Sequence, residues 1–186
     1  MRVIAGICKG RRLAAVPGQS TRPTSDKVKE SIFNMIGPFF EEGHVLDAYA
    51  GTGALAIEAL SRGMETATCI DIEPKSLHVI KKNLAECGFL TQAEVYRNDA
   101  KRAISILAKK DKRYDLVFLD PPYRYDTIPE LISQLQEQRL VNDRAKIVAE
   151  HDAGVRLPDE IGEFVQIRYV VYGDTGVTIY QKKTEE

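Results

Sequence analysis

The chain has 186 residues, 44% of them apolar and 28% charged, with a net charge of −1 and three cysteines. At that length a single domain buries enough apolar surface to offset chain entropy, so neither disulfides nor a structural metal is required. Cys8, Cys69 and Cys87 are odd in number, far apart and without a C-x-x-C pair, which fits a reducing compartment. No apolar run approaches the roughly 20 residues of a membrane span, and the start lacks the basic-then-apolar order of a signal peptide. The expectation is a cytoplasmic protein with no membrane contact.

The charge is unevenly placed. Residues 1–31 carry seven bases against two acids, net +5, and the remainder carries 19 bases against 25 acids, net −6. A basic arm on an acidic body holds a phosphate backbone locally, which uniform mild acidity does not do. Within the arm, Arg2–Ala5 and Leu13–Val16 flank a glycine-containing basic turn and predict a hairpin. A helix from about Ser25 to Ile36 follows, with apolar residues at helical spacing behind a Thr or Ser cap, and Gly37-Pro38 ends it.

From His44 onward, β-rich runs alternate with helical patterns: Val45–Tyr49, Ala54–Arg62, Ala67–Ile70, a helix around Leu77–Leu84, Glu94–Tyr96, Ala103–Leu107, Tyr114–Leu119, Ile128–Gln138 and Lys146–Ala149. Such alternation predicts parallel βαβ units, with the almost wholly apolar Tyr114–Leu119 central in the sheet. Val165–Tyr172 and Val177–Tyr180 are joined by Gly173–Gly176, too short for a helical crossover, so the sheet is expected to end in an antiparallel hairpin.

Chemistry is written where strands end. The first strand runs into Asp47-Ala48-Tyr49-Ala50-Gly51-Thr52-Gly53, whose glycines let backbone approach a ligand at the positive end of the next helix. Asp71, closing the second strand, is placed for a ribose diol, and the combination predicts nucleoside binding. The segment also fits the loose dinucleotide pattern G-x-G-x-x-A, so NAD is the competing ligand. Asp47 favours S-adenosylmethionine over NAD, because an anion beneath the loop opposes a pyrophosphate and suits an ammonium. Asp47 also serves as a tie for the loop's own N–H groups. Asp99, closing the third strand, serves equally as an acceptor for an adenine amino group or as a helix N-cap. The cofactor set is Asp47, Ala50, Gly51, Gly53, Asp71, Ile72, Asp99 and Ala100.

Asp120-Pro121-Pro122-Tyr123 follows Leu116–Leu119. Two prolines cannot donate to a ladder, so the strand stops here in a rigid turn at the edge where open α/β sheets bind ligands. Asp120 and the Pro121 carbonyl would accept both hydrogens of an exocyclic amine while Tyr123 stacks on its ring. Such acceptors localise a nitrogen lone pair otherwise delocalised into a nucleobase, and positioning then supplies much of the rate. His44, His78 and His151 form no ligand set, and no metal is expected. The serines lack a nucleophile-elbow context.

Asp47-x-x-x-Gly51-x-Gly53, Asp71, Asp99 and Asp120-Pro121-Pro122-Tyr123, in that order, resemble class I S-adenosylmethionine-dependent methyltransferases of the amino-methylating kind. Gly6-x-x-Lys9-Gly10-Arg11-x-Leu13 and Arg22-Pro23-Thr24-Ser25-Asp26-Lys27-Val28-Lys29-Glu30 narrow this to a resemblance to the RsmD family, which methylates N2 of one guanine in bacterial 16S ribosomal RNA. It extends through Tyr172-Gly173-Asp174-Thr175. The resemblance implies a Rossmann-like, seven-stranded, mostly parallel sheet in residues 43–186 and an RNA-binding hairpin-helix extension in residues 1–42. It further implies S-adenosylhomocysteine as product, action on 16S rRNA within a 30S subunit or assembly intermediate, and RNA contacts from Lys9, Arg11, Arg12, Arg22, Thr24, Lys27 and Lys29; a monomer is expected, since nothing in the sequence requires a dimer. Lys29 stands where arginine is expected and Asp71 where glutamate is common, which costs bidentate phosphate geometry at the former. The competing readings are a DNA adenine-N6 methyltransferase, an NAD-dependent oxidoreductase and a non-catalytic RNA-binding assembly factor.

Overall fold

A computed structural model describes residues 1–18, 24–122 and 127–184. Two compact units divide the chain, Met1–Asp99 and Ala100–Glu186. The predicted RNA contact Arg22 and the predicted stacking residue Tyr123 lie outside the described residues.

In the first unit Ser25 accepts a hydrogen bond from the Val28 N–H at 3.2 Å and so caps α1 (Asp26–Ile36). The strands β1 (His44–Asp47), β2 (Thr66–Asp71) and β3 (Ala93–Arg97) run parallel in the order β3-β2-β1. Their connections are α2 (Ala54–Ser61) and α3 (Pro74–Glu86), the latter opened by proline at its first turn, where the missing N–H costs nothing. Parallel pairing puts the carboxyl ends of the strands together: Asp47 is in register with Cys69, and Asp71 with Arg97. All eight residues of α2 are buried, which explains why its sequence is apolar nearly all round.

The predicted hairpin is smaller than expected. It pairs only at an antiparallel bridge between Arg2 and Arg12, with Val3 and Leu13 N–H groups donating to Arg11 and Met1 carbonyls at 2.9 and 3.0 Å. The second apolar run does not become a strand, because Leu13 and Val16 turn into the core and the Ala14 backbone bonds instead to the Asn83 amide on α3. The arm is therefore part of the first unit.

In the second unit α4 (Ala100–Lys109) leads into β4 (Tyr114–Leu119), then α5 (Thr127–Glu137), β5 (Val141–Asp152), β6 (Glu160–Ile161), β7 (Phe164–Tyr172) and β8 (Thr175–Lys182). Their order is β4-β5-β8-β7-β6, with β4 and β5 parallel and the remaining pairs antiparallel. The α/β arrangement with a terminal antiparallel hairpin is thus present. The hairpin turn is tighter than expected, confined to Gly173 and Asp174 with Gly173 at φ +59°, while Thr175 and Gly176 already pair in β8. Eight strands rather than seven occur among the described residues, the addition being the two-residue β6. In α5 the buried residues Ile128, Leu131, Ile132 and Leu135 follow the i, i+3, i+4, i+7 rule of a half-buried helix. No helix among the described residues is long and apolar enough to cross a membrane.

Candidate active site and family

The glycine loop sits at the end of β1 because Gly51 and Gly53 hold φ values of +58° and +83°, left-handed conformations that side-chain-bearing residues resist. A Cβ on Gly51 would meet nothing within 4 Å, so the loop turns beside open space. Gly53 precedes α2 and makes no side-chain cap itself, and the Thr52 hydroxyl accepts the Ala54 N–H at 3.3 Å.

Asp71 ties this loop down. One carboxylate oxygen accepts the Gly51 N–H at 2.8 Å and the other the Glu73 N–H at 2.9 Å. A carboxylate has about four acceptor sites, so capacity for a diol remains. Ile72, next in sequence, is 58% exposed, an uncovered apolar face beside the carboxylate. Asp47 is only 1% exposed and its Oδ1 accepts the Tyr49 N–H at 3.2 Å. The loop-tying role therefore dominates at Asp47; burial, followed by the Asp47 charge, pushes the Cys69 thiol up. Ala50 seats the loop by donating to the Ile70 carbonyl at 2.8 Å.

Asp99 directly precedes α4, and its own backbone N–H donates to Asn98 Oδ1 at 2.9 Å. Burial, followed by the Asp99 charge, pushes the Tyr49 hydroxyl up to about 12, so this phenol stays a donor facing a carboxylate at neutral pH. Ala100 is buried. Tyr49 and Asn83 were not singled out in the sequence. Asn83 is buried, and its amide donates to the Thr52 and Ala14 carbonyls at 2.9 and 3.1 Å, linking glycine loop, α3 and arm. A polar residue on the apolar face of α3 was the available signal.

In the second unit Asp120 and Pro121 follow β4, whose Leu119 is in register with Ala149 of β5, and Pro122 is exposed. Water reaches the Asp120 side chain, yet the protein crowds it and burial pushes its carboxyl up to about 6. Crowding by the protein fixes the direction of that shift, and exposure to water limits its size. A separate groove lies between α4 and α5, where Lys101 and Glu130 pair at 2.8 Å; it contains none of the residues named from the sequence as functional. No cluster of three metal-binding side chains occurs among the described residues.

Of the predicted RNA contacts, Lys9, Arg11, Arg12 and Lys27 are exposed and Thr24 is half-buried. Lys29 is corrected: it is 0% exposed, its Nζ donates to the Arg2 carbonyl at 2.6 Å and pairs with Glu58 at 3.9 Å, and no phosphate reaches it. Burial pulls its ammonium below the ordinary lysine range, with Glu58 and then Asp26 opposing. Glu58 also accepts the Ile4 N–H at 3.0 Å, the Ala5 N–H at 3.2 Å and the Arg62 guanidinium at 3.0 Å. This buried carboxylate fastens the arm to α2, and its sequence signal was a lone charge in an apolar helix.

Comparison with known proteins agrees with this geometry. The family described as "Conserved hypothetical protein 95" matches residues 1–181. The Bacillus subtilis (strain 168) protein named "Putative rRNA methyltransferase YlbH" is 49% identical over 183 residues, covering 98% of this chain and all of its own. The Escherichia coli (strain K12) protein named "Ribosomal RNA small subunit methyltransferase D" is 33% identical over 185 residues, covering all of this chain and 91% of its own. Among solved structures, "Putative methyltransferase yhhF from Escherichia coli" superposes with a TM-score of 0.86 at 30% identity, covering all of this chain and 99% of its own. The fold is that of the class I methyltransferases, and the chain belongs to the RsmD family.

Proposed function

We propose that this protein transfers a methyl group from S-adenosylmethionine to the exocyclic N2 of a guanine in 16S rRNA, in the cytoplasm, acting as a monomer on a 30S subunit or assembly intermediate. What carries the reading is the glycine loop: Gly51 is held in a left-handed turn by Asp71 beside open space, as a nucleoside cradle requires. The names of the relatives supply RNA of the small subunit; the amine chemistry rests on Asp120-Pro121-Pro122-Tyr123.

The residues present fit the methyl donor. Asp71 would take the ribose diol with its remaining lone pairs, Ile72 the apolar face of the adenine and Asp99 its amino edge, and the Asp47 charge would attract the ammonium. When bound, S-adenosylmethionine supplies a methyl group on a sulfonium, an electrophile needing no metal. Asp120 and the Pro121 carbonyl accept the two N2 hydrogens and orient the nitrogen lone pair, and Tyr123 covers the ring. The proton lost from N2 passes to Asp120 and then to water. A carboxyl raised to about 6 suits that task better than an ordinary one.

The acceptor role requires ionised Asp120. Transfer is therefore expected to fall as pH drops through about 6, well above the ordinary carboxylate range near 3.9. A kcat/KM profile on RNA checks this; a flat profile between pH 7 and pH 5 removes Asp120 as the proton acceptor.

The direct test is incubation of stripped 16S rRNA and of 30S particles with labelled methyl donor, followed by digestion and identification of the modified nucleoside. N2-methylguanosine is the expected product. Label in duplex DNA as N6-methyladenosine, or RNA binding without incorporation, would favour the competing readings.

A further inference from the structure

We propose that Ile7 is an RNA-contacting residue, an apolar side chain that packs against a nucleobase while Lys9, Arg11 and Arg12 take the flanking phosphates. The inference rests on the RNA-methyltransferase reading above and adds a contact that carries no charge.

Ile7 is 82% exposed, more than any other large apolar side chain among the described residues. Its exposure does not come from a loose chain. The Ile7 N–H donates to the Ser61 carbonyl at 2.9 Å, the Cys8 N–H to Ser61 Oγ at 3.0 Å, and Ser61 Oγ in turn to the Ala5 carbonyl at 2.7 Å. Glu58 holds Ile4 and Ala5 from the same helix. Gly6 is at φ +89°, and a Cβ there would lie 1.8 Å from the Ser61 carbonyl oxygen, so only glycine lets the turn seat this closely on α2. Beyond Ile7 the turn closes through Gly10 N–H to the Val3 carbonyl at 2.8 Å and Arg11 N–H to the Cys8 carbonyl at 3.1 Å. A rigid tip thus presents one apolar side chain to solvent.

The chemistry around it selects the occupant. Lys9, Arg11 and Arg12 are exposed, and none is ion-paired to another described residue. An exposed apolar group on the same turn as such cations matches a surface that alternates anionic phosphates with flat, weakly hydrated rings, which is unpaired nucleic acid. A lipid surface fits less well, because a single buried isoleucine with three cations supplies too little apolar area for stable membrane attachment. Since the anchor is backbone and buried side chains, the Ile7 side chain itself is free of any structural duty within the described residues.

The test separates charge from apolar contact by salt. An Ile7→Ser variant is expected to bind a 16S rRNA transcript roughly five- to tenfold more weakly, with its slope of log affinity against log salt, its thermal midpoint and its S-adenosylhomocysteine affinity all as in wild type. Ile7→Leu is expected to restore binding. Arg11→Gln with Arg12→Gln is expected to flatten the slope by roughly 0.7–0.9 for each phosphate that the arm no longer neutralises. If wild type binds the transcript and Ile7→Ser binds equally well, the inference falls while the methyltransferase reading stands. Ile7-dependent binding to anionic phosphatidylglycerol vesicles with unchanged RNA affinity also overturns it. No binding by wild type to the transcript or to 30S particles overturns both.

Discussion

Replacing Asp120 by alanine is expected to slow methyl transfer to RNA by about 10²–10⁴-fold while affinity for S-adenosylmethionine stays near wild type. The reason is a division of labour. The proposed donor contacts through Asp99 belong to the unit Met1–Asp99, where the loop is fixed by Asp71 and Asn83. Asp120 follows β4 in the other unit. Its proposed work is on the amine. Asp120→Asn keeps a carbonyl acceptor and loses the proton site, so it is expected to retain more of the rate and to lose the acid limb near pH 6. Single-turnover transfer and calorimetric titration of the donor measure the two quantities separately. Wild-type turnover in the alanine variant would remove Asp120 from the chemistry, and loss of donor affinity instead would assign it to the cofactor.

A second large effect is expected at Glu58, in the buried network that holds the arm to α2. Glu58→Gln leaves Lys29 and Arg62 as buried cations without their anion, since both are at most 3% exposed. Breaking a buried pair from one side costs about 3–5 kcal/mol, because the partner charge stays desolvated. Chemical denaturation should show that loss as a lower midpoint. Replacing Glu58, Lys29 and Arg62 together by apolar residues of similar volume should recover part of it, as the desolvation cost disappears with the charges while the Ile4 and Ala5 N–H groups lose their acceptor. An unchanged midpoint in Glu58→Gln would mean that the network contributes nothing to stability.

The alternation of strands and helices from Val45 to Ala149 was readable because parallel strands buried on both faces are written as short apolar runs. Where that pattern was diluted, boundaries slipped. The start of α4 carries exposed Lys101 and Arg102, so only its buried core at 103–107 stood out. The first half of β5 contains Asn142, Asp143 and Arg144, of which the latter two are exposed, and reads as a loop. In the loop, Gly51 and Gly53 announced themselves because few other residues tolerate their backbone. Asp71 was legible as a carboxylate at a strand end, but its bond to the Gly51 N–H spans 20 residues and has no sequence signature. Lys29 failed for the same reason. Its spacing to Ile32, Phe33 and Ile36 puts it on the buried face of α1, but the anion that holds it, Glu58, lies 29 positions later in the chain and on another helix.

The short helix α2 has one consequence for how the two halves of the task are coupled. Its first residue follows Gly53 of the cradle, and its second half carries Glu58 and Ser61, the docking points of the basic tip. Eight residues at 1.5 Å each make a rod of about 12 Å, and one residue more or less would swing the far end by about 100°. The proposed grip and cradle are thereby phased by a single spindle, and a change in its residue count would put both out of step at once.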